Sequence, residues 1–206
     1  MKKKESKNIK NKNKNKSSNK IEKQQKKMAK KIKKKEKGNT LERVFRINNK
    51  FNLVALIKNI LLPLGGGLLI GFLTRNSIVV YNSLKKPVFT PPSIIFPIVW
   101  TILYIFMGIA AYRIFMNNKS GKDDKGAYFY YLIQLSINFL WSIIFFNLRL
   151  YGISFILIII LLILIILTTF KFFKVDKIAG AFMIPYILWA SFASVLTFFI
   201  WMLNEM

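Results

Sequence analysis

The sequence predicts an all-α integral membrane protein, a five-transmembrane-helix bundle behind a disordered basic N-terminal tail. Two observations predict it. Residues 93–112, 127–148, 151–170 and 178–204 hold no charged side chain, and residues 53–74 hold one, Lys58. A helix needs about 20 apolar residues to cross a hydrocarbon core of about 30 Å, and each of these stretches is long enough. The charge gathers ahead of them instead. Residues 1–50 carry 19 Lys and 2 Arg against 4 Glu, which is +17 of the +25 net charge of the 206-residue chain. Such a segment buries too little apolar surface to offset its ordering entropy. The expected organisation is a Lys/Asn-rich cytoplasmic tail over 1–50 and a membrane domain over 53–204.

The first helix is expected near 53–74. Lys58 lies one or two turns inside it and can snorkel to the headgroups. Gly65, Gly66, Gly67 and Gly71 lie in the same stretch, and Gly67 with Gly71 forms a small-xxx-small pair that permits close helix contact, within the bundle or between two copies. The connection from 75 to 92 is the longest in the bundle and carries Tyr81, Phe89 and three prolines, Pro87, Pro91 and Pro92. Long connections in compact bundles often act as lids. The second helix, near 93–116, has Phe96, Trp100 and Tyr104 at intervals of four, an aromatic stripe.

The third helix, near 127–147, has Gln134, Asn138, Trp141 and Phe145 on one face. Amides in hydrocarbon need partners, so this face must turn inward. Spacing alone favours interhelical hydrogen bonding over a ligand site. The fourth helix is expected near 151–171 and the fifth near 178–203. The fifth carries Tyr186, Trp189, Ala193 and Thr197 on one face, and Pro185, which frees a backbone carbonyl. Trp201 suits an interfacial belt; Trp100, Trp141 and Trp189 lie too deep for one. Three aromatic faces converging could wall a flat apolar pocket, although periodicity alone favours core packing.

Basic residues set the expected orientation. One side holds the tail, then Lys119, Lys122 and Lys125, then Lys171, Lys174 and Lys177; the other holds Arg75, Lys85, Lys86 and Arg149. The N-terminus is therefore expected in the cytoplasm and the C-terminus outside, in a cell membrane of bacterial type. Three readings of the tail stay open: a solvated topogenic extension, attraction to anionic lipid, and nucleic acid binding by counterion release. Residues 1–44 lack interleaved aromatics, which weighs against nucleic acid. Met28 is an alternative translation start.

The chain has no Cys and no His. Disulfides, His/Cys zinc sites, histidine-ligated haem, and Ser-His-Asp and Cys-His catalysis are all excluded. Asp123, Asp124, Asp176 and Glu205 fall outside the apolar stretches, which disfavours a proton pump built on buried carboxylates. No cofactor or metal is expected. No internal repeat is visible, so an inverted-repeat transporter is not suggested.

The run LKKPVFTPPSIIFPIVWTILYIFMGIAAY, followed by QLSINFLWSIIFF and PYILWASFASVL, resembles the TspO/MBR family of tryptophan-rich sensory and translocator proteins. The resemblance covers about 53–204 and none of the tail. It implies a five-helix bundle, commonly a homodimer, with a pocket beneath the connection between the first two helices. It also implies binding of porphyrins and of benzodiazepine- and isoquinoline-type ligands, and in some members cholesterol. Proposed roles in the family span transport, stress sensing and light-dependent porphyrin breakdown. By motif, the pocket tryptophans resemble Trp100, Trp141 and Trp189, and Trp100 with Trp189 matches the pair tied to porphyrin chemistry. Gln134 and Asn138, Phe96 and Tyr104, and Ala193 match further pocket positions, and Pro91 and Pro92 the lid-to-helix junction. Tyr186 joins them through the aromatic face of the fifth helix.

Three departures stand out. Val80-Tyr81 replaces the frequent Trp-Tyr before the loop, Leu196-Thr197 replaces Leu-Asn, and the sterol-type motif is missing from VLTFFIWMLNEM. The expected function is a membrane receptor for porphyrin-like ligands, with Arg75, Lys85 and Lys86 as cations at the pocket mouth. The alternative is an enzyme degrading protoporphyrin with light and oxygen through Trp100 and Trp189, and a facilitative transporter is the third reading.

Overall fold

The computed structural model describes Lys27 and residues 44–75, 77–118 and 126–206. The readings of the tail over the remainder of 1–43, of Met28, and of Lys119, Lys122, Asp123, Asp124 and Lys125 lie outside the described residues. The chain divides into two units, Met1–Arg46 and Ile47–Met206. In the first, Val44 and Phe45 are helical.

The second unit holds α1 (Leu53–Leu73), α2 (Ser77–Ser83), α3 (Ile95–Asn118), α4 (Gly126–Ile143), α5 (Tyr151–Val175) and α6 (Lys177–Asn204). α4 continues into a π-helical turn, Ile144–Leu148, which ends where Arg149 takes a left-handed φ of 56°. Five of these helices, α4 counted with its π turn, are long and apolar enough to span a membrane. The protein is a multi-pass integral membrane protein. α2 is an addition to the sequence reading, a short helix within the 75–92 connection.

The spans pack in a ring in which α1 meets α3, α3 meets α6, α6 meets α5, α5 meets α4, and α4 returns to α1. The core is built from Tyr104, Met107, Ala110 and Ile114 of α3, Tyr131 and Leu135 of α4, Leu161 and Phe172 of α5, and Met183, Tyr186 and Ala190 of α6. Large aliphatic and aromatic side chains such as Leu61, Leu69, Ile163 and Phe170 point outward. In lipid that carries no penalty, because the hydrocarbon tails are as apolar as they are. Cohesion must therefore come from close packing and polar contacts.

Two such contacts are decisive. Pro63 cannot donate to the carbonyl of Asn59, four residues back, and so leaves it free within α1. Gly108 of α3 lies against that carbonyl and against the backbone of Ile60, so α1 and α3 meet backbone to backbone. The second contact ties the C-terminal end of α3 to the junction of α5 and α6. Arg113 is the one charged side chain within α3 and is buried. Its Nε and a terminal nitrogen donate to the two carboxylate oxygens of Asp176 at 3.0 and 2.7 Å.

Asp176 does lie between spans, as the sequence suggests, but it turns inward. Its backbone N–H closes the last turn of α5 on Phe172 O, and its side chain caps α6 by accepting from Ile178 N and Ala179 N. Asn117 Nδ2 adds a donor at 3.2 Å. Burial alone would raise this carboxyl, but the Arg113 hydrogen bond, the Ala179 N–H, the Arg113 charge and the Ile178 N–H outweigh it and hold it below the ordinary carboxylate value. At the opposite end, Glu205 accepts from Tyr151 N and Gly152 N, so the end of α6 satisfies the first free N–H groups of α5.

Candidate functional site

A cavity of about 460 Å³ lies under the α1–α3 connection. Its volume falls within the range of about 300–1,000 Å³ usual for small-molecule sites. One wall runs along the C-terminal half of α1, with Leu64, Gly67, Leu68 and Gly71 on one face and Ile70 and Phe72 beside it, and continues past the helix to Thr74 and Arg75. Glycine makes the space. A Cβ on Gly67 would overlap the Tyr104 ring, whereas one on Gly71 would meet nothing within 4 Å. The sequence reading took this pair as permitting close helix contact, within the bundle or between two copies; in the fold Gly67 makes such a contact by seating Tyr104 of α3, and Gly71 faces the opening.

The facing wall is the predicted stripe of α3, Phe96, Trp100 and Tyr104, with Pro97 and Thr101 beside it. Trp141, Ser142 and Phe146 close the third side, and Ser77, Tyr81 and Ser93 the loop end. Trp141 is fixed by its Nε1, which donates to Ser154 O at 3.1 Å, and it stacks on Phe145 at 5.2 Å. The π turn adds a residue to the helical register just where Phe145 and Phe146 leave α4. Tyr81 packs edge-on to Phe96 at 4.9 Å and donates to Pro91 O at 3.4 Å. Burial pushes its phenol up to about 12, so it remains a donor at neutral pH.

The other expected site residues lie elsewhere. Asn138 is fully buried behind the α3 wall, where it accepts from Tyr104 OH at 2.9 Å and donates to Tyr186 OH at 3.0 Å. It locks three helices through one amide. Gln134 is also fully buried, and neither of its amide atoms has a protein partner. Trp189 is not on the cavity wall. It touches Phe96 edge-on at 5.7 Å and Phe192 at 5.4 Å, and its Nε1 is buried without a protein partner. Ala193 is buried in the cluster that holds Tyr81 and Trp141. Pro92 O accepts from Ile95 N and so starts α3.

The three expected cations separate. Arg75 lines the cavity. Lys86 turns its ammonium to Tyr81 O and Asn82 O, at 2.7 and 3.2 Å, and over the Tyr81 ring. Lys85 is exposed, and its backbone is clasped by Asn204, which accepts from Lys85 N at 3.0 Å and donates to Lys85 O at 2.9 Å. Sequence reasoning missed Gly71, Phe146 and Thr101 as wall residues, and missed the Asn204 clasp. Only the four-residue step from Gly71 to Arg75 signalled the first; nothing local signalled the clasp.

No cluster of potential metal ligands occurs among the described residues. The arrangement offers stacking surface, apolar volume and one cation, with no nucleophile–base pair.

The TspO/MBR family model matches residues 59–202. The tryptophan-rich protein TspO of Archaeoglobus fulgidus is 38% identical over 156 residues, covering 74% of this chain and 99% of that protein. Protein CrtK of Rhodobacter capsulatus is 33% identical over 124 residues, covering 60% of this chain and 78% of its own length. The translocator protein of Homo sapiens is 29% identical over 127 residues, covering 61% and 75% respectively.

Proposed function

This chain belongs to the TspO/MBR family, and on that premise we propose that it is a membrane receptor whose cavity binds porphyrins and similar flat, largely apolar ligands. One observation carries the reading: a cavity of about 460 Å³ walled by Tyr81, Phe96, Trp100, Tyr104 and Trp141, with a single cation at its end. Aromatic walls supply stacking area beyond simple burial, and a carboxylate on the ligand supplies the partner for Arg75.

The test is titration of the purified chain with protoporphyrin IX in the dark, followed by tryptophan quenching. Trp100→Phe removes an indole from the wall and is expected to weaken binding by about tenfold, the equivalent of one aromatic contact of 0.5–1.5 kcal/mol at its upper end. Trp189→Phe, one ring removed, is expected to change affinity less than threefold, or about 0.6 kcal/mol. Linear quenching, or quenching equal in the Trp100 variant and in empty micelles, would rule the reading out. The degradative alternative needs both indoles at the chromophore, and the absence of Trp189 from the cavity wall favours binding over it. Illuminating the same samples separates the two.

The same proposal includes a homodimer, the N-terminus in the cytoplasm and the C-terminus outside. The chain has no cysteine, which makes the orientation easy to read. A single cysteine at Lys122 is expected to react with an impermeant maleimide only after the membrane is opened, and one at Lys85 in intact cells. The reverse pattern would invert the topology.

A further inference from the structure

The cavity has a pinned roof and an open flank. Over the roof, Asn204 clasps the Lys85 backbone with two hydrogen bonds, and Phe89 packs on Phe192 and Phe199 of α6. On the α4 side, Asn147 Nδ2 donates to Leu73 O at 3.2 Å and ties the end of α1 to the π turn. On the α3 side, the tight contacts stop early. α1 and α3 touch at Asn59, Ile60 and Gly108 and again at Gly67 and Tyr104, and one turn further on a Cβ at Gly71 would meet nothing.

Several residues beyond that point line the cavity and also face outward: Leu68 (68% exposed), Phe72 (67%), Gly71, Pro97 and Thr101. All of these positions lie in spanning helices, Leu68, Gly71 and Phe72 in the last two turns of α1 and Pro97 and Thr101 in the first two turns of α3, so the opening faces the part of the bilayer next to the α1–α3 connection. Polarity is graded along the opening. Thr74, Arg75, Ser77 and Ser93 gather at the loop end, while Leu64, Gly67, Leu68 and Gly71 lie below. Arg75 lies two residues past the end of α1, four residues on from Gly71 and seven from Leu68, at the loop end of the opening. A cation at headgroup depth above an apolar slot matches an amphipath already anchored in the leaflet, its anionic group at the interface and its body in the tails.

We propose that the cavity takes bilayer-resident amphipathic carboxylates, loaded sideways between α1 and α3, with Arg75 as the partner of the anionic group. This rests on the receptor reading of the same cavity and names its ligand class and its route. Lys85 and Lys86 play no part in it. Gly71 is the sill of the opening, and the Asn204 clasp stays shut during loading.

The test uses the full chain in phosphatidylcholine vesicles with 9,10-dibromostearate, whose bromines quench nearby indoles, and its methyl ester as the uncharged control. Protoporphyrin IX is run in parallel. The readout is the saturable part of the quenching of total tryptophan fluorescence, to which the cavity indoles Trp100 and Trp141 contribute. Saturable quenching by the acid is expected, at a rate set by its mole fraction in the lipid and not by its aqueous concentration. Arg75→Gln should weaken the acid by about tenfold, the loss of one charge-assisted hydrogen bond, and leave the ester unchanged. Gly71→Phe should slow loading, and Asn204→Ala should leave the rate as it is.

Equal losses for acid and ester in Arg75→Gln would remove Arg75 from the site. Faster loading in Asn204→Ala with no effect of Gly71→Phe would move the route to the loop. Absence of saturable quenching by both acid and porphyrin would overturn the proposal. Quenching by the acid with no porphyrin binding would keep it and reject the porphyrin reading alone.

Discussion

Arg113→Met is expected to lower the stability of the bundle by about 3–5 kcal/mol, the usual cost of stripping one partner from a buried ion pair. The substitution keeps the length and apolar stem of the side chain, so the loss is electrostatic. It leaves Asp176 buried with its α6 cap bonds and Asn117, but without the cation that offsets its burial. The sign of the pH dependence then reverses. In the wild type the folded-state value of Asp176 lies below the ordinary one. Its stabilising contribution is therefore complete above pH about 4, and it is lost as pH falls through the folded value. In the variant the Arg113 hydrogen bond and charge are gone, and burial, the largest single influence on this carboxyl, is expected to raise it. Stability is then lowest at neutral pH and recovers as pH falls and the group takes up its proton. Thermal unfolding in one detergent between pH 4 and 8, read as variant minus wild type, should show that recovery. Adding Asp176→Asn, which can still cap α6, should restore most of the loss at pH 7. A flat difference across the pH range would mean that the pair adds nothing beyond packing.

This pair also marks where the sequence could be read and where it could not. The spans followed from length and apolar composition, because the bilayer imposes both. Their inner and outer faces did not follow. With lipid as solvent, Leu, Ile and Phe serve equally on either side, so the apolar pattern carries little rotational information. Gln134, Asn138 and Trp141 share a face by spacing, yet only Trp141 lines the cavity: Asn138 sits behind Tyr104 of the α3 wall, and Gln134 is fully buried away from the lining. Arg75, Lys85 and Lys86 look alike as side chains near one interface. Their roles diverge because α2 and the loop turn Lys86 onto its own carbonyls. Arg113 was legible in principle: a lone charge inside an apolar helix requires a partner, and Asp176 joins two spans, α5 and α6, whose ends lie on that side. The motif order identified the family, and α2 had no cap or period to announce it.

Gly108→Ala is expected to destabilise the bundle by about 2 kcal/mol, although the same exchange in an open helix would stabilise it. Alanine gains about 1 kcal/mol over glycine in helix propensity. Against that, the new Cβ would stand 2.5 Å from Ile60 Cα and 2.9 Å from Asn59 O. These are backbone atoms, and no rotamer change relieves them, so α1 and α3 must part. Overpacking of this kind costs about 1–3 kcal/mol and sometimes more, and a rigid obstacle belongs at the upper end. The Asn59 carbonyl adds to the loss. Pro63 has already removed its helical donor, and the close approach of the Gly108 Cα–H offers it a weak substitute that the displacement takes away. The effect must reach the cavity, because α1 carries Gly67, Gly71 and Arg75 while α3 carries Tyr104 and Trp100. Separation at the Gly108 contact unseats Tyr104 from Gly67 and widens the wall. Ligand affinity should therefore fall together with the unfolding temperature. Gly71→Ala is the control, since its Cβ meets nothing; it should hold or slightly raise stability through propensity alone. A Gly108→Ala protein as stable as Gly71→Ala would mean that α1 and α3 are not held backbone to backbone, and would remove the rigid wall on which the cavity depends.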